Sequence, residues 1–131
     1  MRKTAAFLLL NLVVSGATIS AQQSVVYTNS LSEYDNAISL YKEKQYLAAQ
    51  IVFVKVRQYV KNQEVQADCA YYIANCAIRL NQSNADQLME NFVADYPTSP
   101  KQNQAFIAIS DYYFQQGNFP QALQYFDKVD E

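Results

Sequence analysis

Residues Gln104–Val129 read QAFIAISDYYFQQGNFPQALQYFDKV. Apolar side chains at Phe106, Ile109 and Tyr113 are spaced three and four apart, Gly117 interrupts, and the spacing resumes at Phe119, Ala122, Phe126 and Val129. Such spacing lays a stripe along one face of a helix, and glycine is the residue that most readily ends it. The stretch therefore predicts two amphipathic helices joined by a tight turn.

The same register can be followed upstream. Small residues recur at Ala37, Ala74 and Ser110 in the first helix of each pair, and at Ala49, Ala85 and Ala122 in the second. Large apolar residues recur at Phe53, Met89 and Phe126, and again at Val56, Phe92 and Val129. The period is 36 or 37 residues, so the sequence predicts three consecutive helix hairpins. Their six helices are expected at Leu31–Lys44, Tyr46–Val60, Gln63–Leu80, Ala85–Tyr96, Lys101–Gln116 and Pro120–Val129. Asn84 and Asn118 are the expected caps of the fourth and sixth, with Pro120 at the first helical position. Pro97, in the turn Tyr96-Pro97-Thr98-Ser99-Pro100, helps end the fourth.

With Asn103 as its first position, the last unit resembles a tetratricopeptide repeat, through Phe106, Ile109, Ser110, Tyr113, Gly117, Phe119, Ala122, Phe126 and Val129. The first unit departs from that pattern at Glu33 and Asn36, and the second at Ala70 and Ala77 with a connection one residue short. The phrase FVADYPTSP at 92–100 is also similar to repeats of BamD-like periplasmic proteins and of long exported Bacteroidetes proteins. The resemblance implies an all-α, right-handed solenoid over residues 30–131 that binds other proteins without a cofactor. Its groove-lining positions fall on the first helices: Leu31, Tyr34, Ile38, Tyr41 and Lys42; Asp68, Tyr71, Asn75, Ile78 and Arg79; Gln104, Ile107, Asp111, Phe114 and Gln115. On that reading Asn75 would hold a peptide backbone and the tyrosines its apolar side chains. The competing expectation for Ile38, Ile107 and Phe114 is packing between neighbouring first helices.

Composition agrees with helices. Half of the residues are hydrophobic, while two glycines and three prolines leave little room for turns. The sequence contains no histidine, which excludes Ser-His-Asp and Cys-His catalysis, and no glycine-rich phosphate loop. Neither an enzyme nor a metal site is expected. Cys69 and Cys76 lie seven apart on one helix, about 10.5 Å between Cα atoms at 1.5 Å per residue, too far for a bridge. They are expected as buried small hydrophobes. Residues 22–62 carry a net charge of +2 and residues 63–131 one of −6, with no basic run, so nucleic acid is not an expected partner.

Residues 1–21 read as a secretory signal peptide, Arg2 and Lys3 preceding the apolar run Ala5–Val14, with cleavage expected after Ala21 and Ala17 as the fallback. The run is about half of what crosses a bilayer, so stable membrane insertion is not expected. No cysteine marks a lipoprotein signal. Residues 22–29 are expected to be a linker, and the chain to be exported, periplasmic or outer-membrane-associated, with a protein or peptide partner in the envelope. Leu123, Tyr125, Phe126 and Val129 cannot all face one preceding helix, which suggests a longer array or self-association through the C-terminal helix. Eleven tyrosines leave SusD-type glycan binding as the alternative function.

Overall fold

A computed structural model describes the backbone of residues 17–130 and the side chains of Asn29 and of residues 31–130. The described residues form six α-helices and no strand: α1 Ala17–Lys42, α2 Tyr46–Tyr59, α3 Gln63–Arg79, α4 Ala85–Asp95, α5 Gln102–Gln115 and α6 Phe119–Phe126. Each helix packs on the next, and α3 also touches α5, so the three hairpins α1–α2, α3–α4 and α5–α6 stack in chain order. This is the expected helical-repeat architecture.

Each first helix ends by the same device. Lys44, Asn81 and Gly117 hold positive φ values of 61°, 53° and 76°, at corresponding points of the three hairpins. In each, the next residue's N–H returns to a carbonyl five residues back: Gln45 to Leu40, Gln82 to Ala77 and Asn118 to Tyr113, all at 2.9 Å. This left-handed cap satisfies carbonyls that the helix end leaves open. Glycine takes that conformation freely, asparagine tolerates it, and lysine holds it under strain.

The small-and-large pattern does the packing. Ala37, Ala49, Ala74 and Ala85 are fully buried, which lets helix axes close on one another, and Phe53, Val56, Met89 and Phe92 fill the spaces between hairpins. One core cluster joins α1, α2 and α3 around Phe53, whose ring stacks on Tyr72 at 4.9 Å. A second joins α3, α4 and α5 around Met89, Phe92 and Ile109.

Several local expectations are corrected. α1 extends upstream of Leu31 and is already helical at Ala17, the first described residue, so the backbone of 22–29 is helical; no glycine or proline interrupts the chain from there to Pro97. Most of the expected signal segment, residues 1–16, lies outside the described residues. Asn84 stands at the start of α4 without making a capping bond, because its backbone is not extended (φ −109°, ψ 17°). Asn62 caps α3 instead, its Oδ1 accepting from Glu64 N at 2.9 Å and Val65 N at 3.1 Å. Asn118 does cap α6, accepting from Gln121 N, and Pro120 is the second residue of that helix, where its missing N–H is equally harmless.

Candidate functional site

The first helices α1, α3 and α5 stand side by side, and hydrogen bonds join the first two. Tyr34 Oη donates to Asp68 Oδ2 at 2.8 Å, and one turn-pair further on Tyr41 Oη donates to Asn75 Oδ1 at 2.7 Å. Asn75 Nδ2 in turn donates to Tyr71 Oη at 3.2 Å. Asn75 and Tyr71 are therefore buried members of a polar seam, with the Asn75 amide engaged at both ends. The backbone-clamping role expected for Asn75 is corrected accordingly, since a ligand would have to displace tyrosine hydroxyls to use it. Burial raises the Tyr41 pKa and the Arg79 charge beside it partly opposes that; burial and then the neighbouring Asp68 carboxylate raise Tyr34 strongly.

Between α3 and α5 the arrangement changes. Here a cleft of about 270 Å³ is lined by Asn75, Ile78, Arg79, Ala108, Asp111, Tyr112 and Gln115. Five of the expected groove residues, Asn75, Ile78, Arg79, Asp111 and Gln115, thus come together in one place. Arg79 and Asp111 are exposed on opposite helices of this cleft. The ion pairs among the described residues are Lys55–Glu33 at 2.8 Å and Lys101–Asp68 at 3.9 Å, so neither Arg79 nor Asp111 is salt-bridged. Arg79 and Asp111 share the lining of this cleft with Ile78, Ala108 and Tyr112. Such a cleft can accept a carbonyl or carboxylate on one side and an N–H or ammonium on the other.

The remaining expected groove residues are distributed elsewhere. Ile38 is half-buried against the α1–α2–α3 core, so packing is its role. Ile107 and Phe114 are 44% and 62% exposed, so neither packs against another first helix among the described residues. Asp68 lines a different and larger cavity of about 560 Å³ beside the α4–α5 connection, with Glu64, Asp95, Tyr96 and Pro97. Its charge is already met there by Lys101, whose Nζ also sits 5.0 Å from the Tyr72 ring centre. The sequence reading missed this cavity because it arises where a helix N-terminus meets a turn. It also missed Ala108 and Tyr112, which lie outside the five groove positions assigned to each first helix.

The cysteines behave as expected. Cys69 and Cys76 are free, fully buried thiols, and burial pushes both pKa values up to about 12. No group of three metal-ligating side chains and no helix long and apolar enough to cross a membrane occurs among the described residues.

The α3–α4 hairpin carries the similarity to a known family. Residues 68–99 match the tetratricopeptide repeat family model. The match begins at Asp68, five residues into α3, and ends in the turn after α4, so it covers most of the central hairpin. Tetratricopeptide repeats generally mediate protein–protein interactions and act as non-enzymatic scaffolds. No curated protein and no solved structure matches this chain.

Proposed function

We propose that this chain is an exported scaffold that holds an extended peptide segment of an envelope protein across the α3–α5 cleft. The observation that carries the reading is the pair Arg79 and Asp111, both exposed and without an ion-pair partner among the described residues, in one cleft with Ile78, Ala108 and Tyr112. In the adjoining α1–α3 junction the corresponding seam is closed by tyrosine hydrogen bonds. The cleft thus lies where the repeat's own side chains leave polar groups to a partner. Arg79 would take a backbone carbonyl or a carboxylate, Asp111 a backbone N–H or a basic side chain, and Tyr112 an apolar side chain.

Export rests on residues 1–21, whose order of basic, apolar and small residues is that of a secretory signal. The glycan alternative is weaker on structural grounds. All ten described tyrosines are buried or half-buried, so the rings that suggested sugar stacking are engaged in packing.

Selection of a randomised displayed peptide library on the full chain tests the reading. Enriched peptides should shift amide resonances of α3 and α5 around Arg79 and Asp111, and fractionation should find the chain outside the cytoplasm with residues 1–21 removed. Peptides that map elsewhere, or a chain that keeps residues 1–21 in the cytoplasm, would refute the corresponding half of the proposal.

A further inference from the structure

α2 exposes an apolar stripe that the fold does not require. Leu47, Ile51 and Val54, spaced four and three apart, share one side of the helix and are 57%, 63% and 41% exposed. The side that carries Ala49, Phe53 and Val56 is fully buried in the core shared with α1 and α3. At the positions that correspond to the stripe, the second hairpin has Ser83, Gln87 and Glu90, and the third has Pro120, Gln124 and Asp127. The repeat is therefore built twice without an apolar residue pair at this face, and the stripe belongs to the first hairpin alone.

Its border is basic. Lys55 marks the side toward α1, where its Nζ donates to Glu33 Oε1 at 2.8 Å. Arg57 marks the side toward the second hairpin, where its Nη2 donates to Tyr96 Oη at 3.4 Å. Lys44 and Lys61 are exposed just before and just after the helix, and neither they nor Arg57 form an ion pair among the described residues. α2 contains no acidic residue, whereas α4 contains Asp86, Glu90 and Asp95 and no basic one. Of the carboxylates that precede α2 in the described residues, Glu33 accepts from Lys55 and Tyr59 and Glu43 accepts from Gln45, while Asp35 is exposed on α1.

An apolar stripe with cations on both flanks and at both ends is the pattern of a helix that lies in a bilayer interface. Its apolar side chains sink among the headgroups, and lysine and arginine stems lie along them and reach the phosphates. A protein partner fits the stripe less well. Three side chains on one ridge are far fewer than the roughly 20 residues a side of a standard protein interface, whereas a lipid surface needs no matching shape. Neither of the two cavities described above includes Leu47, Ile51 or Val54.

We infer that α2 is a peripheral contact for an anionic lipid surface, with Leu47, Ile51 and Val54 entering the headgroup layer and Lys44, Lys55, Arg57 and Lys61 facing lipid phosphates. The contact is reversible and salt-dependent, because three apolar side chains are too few to hold the chain without the charges. It shares no residue with the α3–α5 cleft, so the two sites can be occupied together.

The sequence contains no tryptophan, so Val54→Trp places a single reporter in the stripe. In the full chain its emission should shift to the blue, and be quenched by spin-labelled lipid, on addition of phosphatidylcholine vesicles containing roughly one-third phosphatidylglycerol. Vesicles of phosphatidylcholine alone should give no shift. Raising the salt from about 0.05 M to about 0.5 M should weaken the response roughly tenfold or more, and so should Arg57→Glu combined with Lys61→Glu, or Ile51→Glu. The reporter Gln87→Trp, at the matching position of α4, should stay in water throughout, which separates contact through α2 from adsorption through residues 1–21. The side chains replaced are exposed, and circular dichroism checks that the helices persist. Three results would overturn the inference: no shift of Val54→Trp with anionic vesicles, an equal shift with neutral ones, or a shift with soluble poly-glutamate but not with vesicles, which would make an acidic polypeptide the occupant.

Discussion

The Asn75 side chain shows how little of a repeat's groove is free for a ligand. It accepts from Tyr41 and donates to Tyr71 while only 5% exposed, so Tyr41→Phe leaves a buried acceptor without its partner. That change should lower stability by about 1–3 kcal/mol in urea unfolding, whereas Gln115→Ala on the exposed rim should leave it within about 0.5 kcal/mol. Lys44 offers the opposite test. It holds φ at 61° where the third hairpin has glycine, so Lys44→Gly should stabilise the chain by about 0.5–1 kcal/mol and Gly117→Ala should destabilise it by a similar amount. A Cβ on Gly117 would meet nothing within 4 Å, so the second effect is one of backbone conformation alone. The buried thiols fix a pH dependence. Their folded pKa of about 12 lies above an unfolded value of about 8.5, so the folded chain holds these protons more tightly. Their contribution to stability is complete below pH ~8.5 and is lost as the pH rises toward ~12. Tyr71 and Tyr125, raised by burial to about 12, add to the same alkaline loss. Urea midpoints measured from pH 7 to 11 should fall only above about pH 8.5, and iodoacetamide at pH 8 should modify neither cysteine until the chain unfolds.

Among the elements, equivalent positions carry unequal weight. Phe53→Ala should cost about 3–5 kcal/mol, because the side chain is fully enclosed by α3, while Phe126→Ala, at the same register in α6, should change stability by less than about 0.5 kcal/mol. Chemical denaturation of the two variants checks this directly. Helix bounds were legible to within one to three residues for α2 to α6, because the three-and-four apolar spacing ends at visible breakers such as Pro97 and Gly117. The helical course of α1 upstream of Leu31 was not, since no glycine or proline marks a boundary there. The shared left-handed cap was visible only at Gly117. Lys44 and Asn81 do the same work with side chains that give no such signal, and their identity as a set appears only in φ. Of the site, the charged and amide members were legible from repeat positions, whereas the engagement of Asn75 depended on two tyrosine rotamers that no spacing predicts.

Across the whole stack, α1 exposes the polar side chains of Ser32, Asp35, Asn36 and Ser39, α6 exposes Phe119, Leu123 and Phe126, and the cleft between α3 and α5 holds Arg79 and Asp111 without an ion-pair partner among the described residues. Among the described residues, each of the later first helices covers the hairpin before it. The Arg79–Asp111 cleft is the proposed site for an extended peptide. The measurement that tests it most directly is the affinity of a selected peptide for the native chain, for Arg79→Glu, for Asp111→Lys and for Lys55→Glu, by titration calorimetry. Each cleft variant should weaken binding roughly tenfold or more, while Lys55→Glu, on the α1–α2 side, should leave it unchanged. Equal affinities across all four proteins would contradict it.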